Sequence, residues 1–104
     1  MAHTSQPRLN GIPYVPGIAT GTLDRGPRAI SASAVRVVTP GEIGALADRP
    51  AGLIVTEAAP FSHTLIALLG QGIPTVLVTA EQAAALEYGR PIRIDGATGA
   101  LFQP

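Results

Sequence analysis

The chain has no cysteine, no lysine and no tryptophan, and charged residues make up only 13% of it. Without cysteine there is no disulfide, no thiol nucleophile and no thiolate zinc site. Without lysine a phosphate-binding loop of the Walker type is excluded. All seven basic residues are arginines, balanced by seven acids to a net charge of +0. No basic stripe exists to track a phosphate backbone, so nucleic acid is not an expected partner. No apolar run approaches the roughly 20 residues of a membrane span, so no membrane partner is expected either. The missing cysteines are compatible with a cytoplasmic location. The charge content is well below the roughly 25% of ordinary soluble domains. Such a surface suits a domain covered by partners or excised from a larger protein, with simple composition bias as the other reading.

Other absences narrow the chemistry. No Gly-x-Gly-x-x-Gly follows a strand, so a dinucleotide fold lacks its fingerprint. His3 and His63 are the two histidines, too few for a polyhistidine metal site. The seven carboxylates are scattered, and nothing in their spacing favours a paired-carboxylate hydrolase.

What is present reads as one globular domain. The chain has 104 residues, of which 46% are hydrophobic, enough for a real core. Met1–Asn10 is polar and lacks the apolar centre of a signal peptide, so residues 1–10 read as a tail or linker. Residues 11–104 read as a single domain. Within it, "GIPYVPG" (Gly11–Gly17) must be extended or turning, because proline fixes φ and has no N–H. Strands are predicted at Ile18–Leu23, Ala34–Val38, Gly52–Thr56 and Thr75–Val78, and a loop over Asp24–Ser33. Thr39-Pro40-Gly41-Glu42 has the form of a helix start, as does the Thr79-x-x-Gln82 capping-box spacing. The second of these helices is predicted to stop at Gly89. A further helix is predicted from Ser62 to Gln71, broken by Gly72-Ile73-Pro74. Pro91–Asp95 and Ala100–Phe102 flank "DGATG", whose glycines suit a hairpin loop. Alternating strands and helices in the middle, with strands at both ends, predict an α/β domain: a small, mostly parallel sheet, short helices and an added β layer.

His63 is the residue with chemistry to offer. It opens a predicted helix just beyond a buried strand, where α/β sheets gather ligands. A helix start presents unpaired N–H groups that stabilise an anion. A neutral imidazole there is a competent nucleophile toward phosphorus. Ser62 could cap the helix or bond a phosphate, and Thr56, at the end of the preceding strand, could offer its hydroxyl. Glu57 could orient the imidazole or be a solvated loop carboxylate. A Ser–His nucleophile pair between Ser62 and His63 is disfavoured, because adjacent helix side chains diverge. The competing reading is a surface histidine with one satisfied ring nitrogen and no reaction.

"TEAAPFSHTLIALLGQGIPTVLV" (Thr56–Val78) resembles the swivelling phosphohistidine domain of PEP-utilising enzymes such as PEP synthase, pyruvate phosphate dikinase and enzyme I of the sugar phosphotransferase system. The Ser62–His63 pair and Gly72-Ile73-Pro74 stand at that family's spacing. "GIPYVPGIATGTL" (Gly11–Leu23), "TPGEI" (Thr39–Ile43) and "IDGATGALF" (Ile94–Phe102) also resemble family segments, in the family's order. The resemblance implies a three-layer β/β/α swivelling domain. It implies that His63 accepts a phosphoryl group from PEP or ATP on another domain or chain and passes it on, with Ser62, Thr56 and Thr64 as phosphate-binding groups. It also implies a PEP-binding or nucleotide-binding partner, no cofactor on this domain, and any Mg2+ on that partner. A chain of this length has no room for the PEP-binding barrel or the nucleotide-grasp domain itself, and reads as a fragment, a detached subunit or a relic.

Four positions depart from the family pattern. Ala58 and Ala59 replace Gly-Gly, Phe61 replaces a threonine and Leu69 replaces a helix arginine. These favour an alternative in which the domain is non-catalytic and serves packing or regulation, like the extra C-terminal domain of some pyruvate kinases. A third possibility is the small subunit of an aconitase-like dehydratase, which shares the three-layer plan.

Overall fold

Three consecutive strands of the domain are buried on both faces, which explains their largely apolar sequences. They are β4 (Val35–Val38), β5 (Gly52–Thr56) and β6 (Thr75–Val78), and they pair in parallel in the order β4-β5-β6. A strand covered on both sides has no solvent face to mark with polar residues. The computed structural model describes residues 6–26, 34–46, 49–57 and 62–103.

Among the described residues the remaining strands are β1 (Leu9–Asn10), β2 (Ile12–Val15), β3 (Ile18–Arg25), β7 (Pro91–Asp95) and β8 (Ala100–Phe102). The eight strands run in the order β1-β8-β7-β3-β4-β5-β6-β2. The long strand β3 serves two arrangements. Its first part, Ile18–Thr22, pairs antiparallel with β7, and its last part, Leu23–Arg25, pairs in parallel with β4. Parallel pairing is therefore confined to β3-β4-β5-β6, while the β1-β8, β8-β7, β7-β3 and β6-β2 pairings are antiparallel. The expectation of a mostly parallel sheet is corrected by these pairings. The described chain is a mixed α/β domain with a parallel centre and antiparallel flanks.

The strand order starts and ends with β1 and β2, which are separated in sequence by Gly11 alone. The sheet must therefore curve until its two edges meet, and Gly11 is the corner. A Cβ at Gly11 would come within 2.5 Å of the Leu77 carbonyl oxygen and 2.6 Å of Val76 Cγ1. No side chain fits there. The hairpin between β7 and β8 seals the same seam. Gly11 N–H donates to the Gly99 carbonyl (2.8 Å) and Gly96 N–H donates to the Gly17 carbonyl (2.8 Å). The Cβ of any larger residue at 96 would overlap the Val15 carbonyl. Asp95 shapes that hairpin by accepting from the N–H groups of Ala97 (2.9 Å) and Thr98 (3.3 Å).

Residues expected in a tail are part of this closure. Arg8 N–H donates to the Leu101 carbonyl (2.7 Å), and Leu9 and Asn10 stand opposite Leu101 and Ala100. Polar side chains concealed the strand because its pairing uses the backbone alone. Asp24 and Arg25, expected in a loop, extend β3. The rest of that expected loop from residue 27 lies outside the described residues.

Side-chain alternation divides the core in two. Val35, Val37, Ile54, Val76 and Val78 face Ala19, Leu23, Ile92, Ile94 and Leu101 of the antiparallel strands, together with Ala83 and Leu86. Val38, Leu53, Val55 and Leu77 face the other way, onto Leu65, Leu68 and Ile73, with Ile43 and Leu46 at the margin. Each fully buried Leu, Ile or Val contributes roughly 1.5–3 kcal/mol relative to exposure. Arg36 is wholly buried in β4, with Asp24 as its register partner on β3.

The helices are short. Pro40–Ala45 is a 3-10 helix, with the Glu42 carboxylate accepting from the Thr39 N–H (2.9 Å). Helix α1 covers His63–Leu68 and α2 covers Ala80–Ala84. Both end earlier than expected, at turns that lead to glycines with positive φ, Gly72 (71°) and Gly89 (80°). No helix among the described residues is long and apolar enough to cross a membrane.

Candidate functional site

Strand β5 ends at Thr56, and the next residue, Glu57, has φ 54°, a left-handed value rare outside glycine. It is the one non-glycine residue with positive φ among those described. Residues 58–61 lie outside the described residues, and with them Ala58, Ala59 and Phe61, three of the four departures noted in the sequence. The chain reappears at Ser62, in an extended conformation (φ −68°, ψ 149°), as the N-cap of α1.

The Ser62 hydroxyl oxygen accepts from the Leu65 N–H at 3.3 Å, and the Ser62 carbonyl accepts from the Ile66 N–H at 2.9 Å. This cap starts the helix but leaves its first two N–H groups, on His63 and Thr64, without an acceptor among the described residues. Leu65 and Leu68 anchor the helix by packing onto Leu53 and Val55. At 3.6 residues per turn that anchoring turns His63 outward, and both His63 and Thr64 are exposed. The imidazole is thus held on a packed helix and open to solvent.

The structure brings Ser62, His63 and Thr64 together at one helix start, and separates Thr56 from them. Thr56 alternates with Ile54, on the face of β5 opposite Leu53 and Val55, whereas α1 packs on the Leu53–Val55 face. It is also 3% exposed. Thr56 is therefore buried, on the side of the strand away from α1. Glu57 makes no hydrogen bond to His63; it lines a cavity of about 480 Å³ at the carboxyl ends of β5 and β6, with Gly11, Ile12, Val78, Thr79 and Gln82 among its walls.

The sequence has no charged residue between Ala58 and Ala80. Leu69, the fourth departure, is 52% exposed at the end of α1. Several arginines are engaged elsewhere. Arg49 donates to the Gln71 carbonyl (2.8 Å), Arg25 donates to the Tyr88 hydroxyl (3.3 Å), and Arg93 lies 4.3 Å from the centre of the Phe102 ring. Arg8 pairs with Glu87 at 3.3 Å. Among the described residues no three His, Cys, Asp or Glu side chains cluster in a way that could hold a metal ion. Sequence reading missed the exposed apolar side chains beside His63, because only packing decides which face of a short helix is covered.

The imidazole of His63 thus faces solvent at a helix start rather than an enclosed cavity. The model of the PEP-utilising enzyme mobile domain matches residues 34–99, and the chain belongs to that family. The matched region runs from β4 through the β7–β8 hairpin and contains Ser62, His63 and Thr64. Family membership sets aside the dehydratase alternative. No curated protein gave a significant match.

Proposed function

We propose that the chain is a phosphohistidine carrier. His63 takes a phosphoryl group from PEP or ATP held by another domain or chain and delivers it to a second site. The observation that carries this reading is the exposed position of His63 at the start of α1, inside the region that matches the family. A carrier must present its nucleophile to sites on other domains, and a buried histidine could not do so.

In the reaction an unprotonated imidazole nitrogen of His63 attacks phosphorus. The N–P bond forms as the bond to the donor's bridging oxygen breaks, and that oxygen leaves with the electron pair. The phosphoryl oxygens face the N–H groups of His63 and Thr64. The Ser62 hydroxyl, whose oxygen already accepts from Leu65, keeps its proton to donate, and the Thr64 hydroxyl is the second such donor. Any Mg2+ belongs to the donor side. The reading carries with it the swivelling β/β/α plan, with the antiparallel strands, the parallel strands and α1 as successive layers, and a cytoplasmic location where PEP and ATP are available.

The test is transfer of label from [32P]PEP or [γ-32P]ATP in an extract of the source cells. An acid-labile, base-stable label located on His63 by peptide mass spectrometry is expected, and its loss in His63→Asn. Label that persists in His63→Asn, or none on the wild type with either donor, sinks the carrier reading. A non-catalytic domain is the second reading, favoured by the charge-free stretch Ala58–Ala80, which supplies no cation to offset a phosphoryl group. It predicts an unlabelled His63 and a parent assembly that tolerates His63→Asn but not deletion of the domain.

A further inference from the structure

We infer that the cavity beside Glu57 binds a small organic cation, a free primary amine carried on an apolar chain. The cavity measures about 480 Å³ and lies at the carboxyl ends of β5 and β6. That is the size of a small-molecule site, in the place where parallel strands gather ligands. Gly11, Ile12, Leu77, Val78 and Ala80 give it apolar walls. Ile12 is 59% exposed, although Leu77 opposite it on β6 is buried. Glu57 is the one charged residue among the described residues that line the cavity. Its carboxylate has no hydrogen bond or ion pair among the described residues. The Gln82 amide is already engaged: its oxygen accepts from the Thr79 N–H (2.9 Å) and its nitrogen donates to the Asn10 carbonyl (2.9 Å). The Thr79 hydroxyl oxygen accepts from the Gln82 N–H (3.0 Å) and keeps a lone pair.

The backbone at Glu57 supports a role for that carboxylate. Its φ of 54° suits glycine, which would hold this turn without strain. A residue with a Cβ is strained there, and such strain collects at binding sites. What glutamate adds over glycine is a charge at the wall of the cavity. Charge and shape then select the ligand. An anion is repelled, because no basic residue among those described lines the cavity to offset Glu57. A metal ion lacks ligands, since no three His, Cys, Asp or Glu side chains cluster among the described residues. A neutral apolar molecule would take the carboxylate out of water unpaired, which is unfavourable. An ammonium instead pairs with it through charge-assisted hydrogen bonds, while the chain it carries covers Ile12 and Val78. An ammonium has three donors, so the Thr79 hydroxyl oxygen can take another. Binding here does not depend on phosphoryl transfer at His63, so its test leaves the carrier reading untouched.

Probes of equal chain length separate charge from apolar contact: n-pentylammonium, pentanol and pentanoate. Titrated into isotope-labelled protein near neutral pH, n-pentylammonium is expected to shift the NMR amide signals of Gly11, Ile12, Val78 and Thr79 saturably, with a Kd of about 1 mM or tighter. Pentanol is expected to bind about five-fold or more weakly, and pentanoate not at all up to about 20 mM. Methylammonium keeps the charge but lacks the chain, and is expected to bind about ten-fold or more weakly. Glu57→Gln is expected to weaken n-pentylammonium about five-fold or more, and Ile12→Ser about three-fold. Glu57→Gly is expected to weaken it as much as Glu57→Gln, while its Tm stays at or above that of the wild type because the backbone strain is relieved. Equal affinity for pentanol and n-pentylammonium overturns the inference, as does equal affinity of wild type and Glu57→Gln. So does a titration without saturable shifts, or one whose shifts follow Glu42, Glu81 and Asp95 instead of the cavity, which marks nonspecific ion pairing. A Glu57→Gly protein that melts below wild type and binds as well makes Glu57 structural and overturns it too.

Discussion

The two α-helices among the described residues, α1 and α2, follow neighbouring parallel strands, yet they begin differently. Helix α2 opens with a closed box: the Gln82 N–H donates to the Thr79 hydroxyl (3.0 Å), and the Gln82 side-chain oxygen accepts from the Thr79 N–H (2.9 Å). Helix α1 opens with Ser62 alone, through one longer bond of 3.3 Å to Leu65 N–H. Its third residue, Leu65, is apolar and faces the core, so it has no group to reach back to the cap. One helix start is sealed and structural. The other leaves two N–H groups without an acceptor among the described residues, beside an exposed imidazole. The contrast follows from whether the third helical residue is spent on capping or on packing.

Substitutions can break this contrast, starting with the largest. Leu65→Ala should destabilise the domain by about 2–5 kcal/mol, because Leu65 is wholly buried against Leu53 and Val55. Urea unfolding followed by circular dichroism measures it, and a loss under about 1 kcal/mol would mean α1 is not anchored as described. Thr79→Ala removes the hydroxyl half of the closed box and should cost about 1–2 kcal/mol in the same experiment. Ser62→Ala should cost less, roughly 0.5–1 kcal/mol, since its bond is longer and unreciprocated. If Ser62→Ala proved the more damaging of the two, the ranking of the two caps would be reversed. His63→Asn should change stability by less than about 0.5 kcal/mol, as expected for an exposed residue. On the carrier reading it should nonetheless abolish phosphoryl labelling, and that separation of stability from labelling is the sharpest expression of the difference between the helices.

Much of this was legible from local pattern. Strands Gly52–Thr56, Thr75–Val78, Pro91–Asp95 and Ala100–Phe102 coincide with the expected ones, because short apolar runs bounded by glycine, proline or turn residues leave little choice. The Thr79–Gln82 box was also legible, since its partners are three residues apart. The helix start that holds Ser62, His63 and Thr64 was legible too. That Thr56 lies on the strand face away from α1 was not legible, because proximity in sequence does not say on which face of a strand a side chain lies relative to a later helix. The strand at Leu9–Asn10 escaped notice because its partners, Leu101 and Ala100, are some ninety residues away and bond through backbone groups that every residue has.

By itself the sequence determined the local elements, the caps, the hairpin loop and the family, all of which depend on residues close together in the chain or on motif order. Only the tertiary structure decided that β1 and β2 occupy opposite ends of the strand order and meet at Gly11, and that Thr56 turns inward while His63 turns outward. It also decided that Ile66 and Leu69 remain uncovered. The reason is physical. Hydrophobic burial is non-directional and can be satisfied on either face of a short element. Which face is used is settled only when the neighbouring strands are in place.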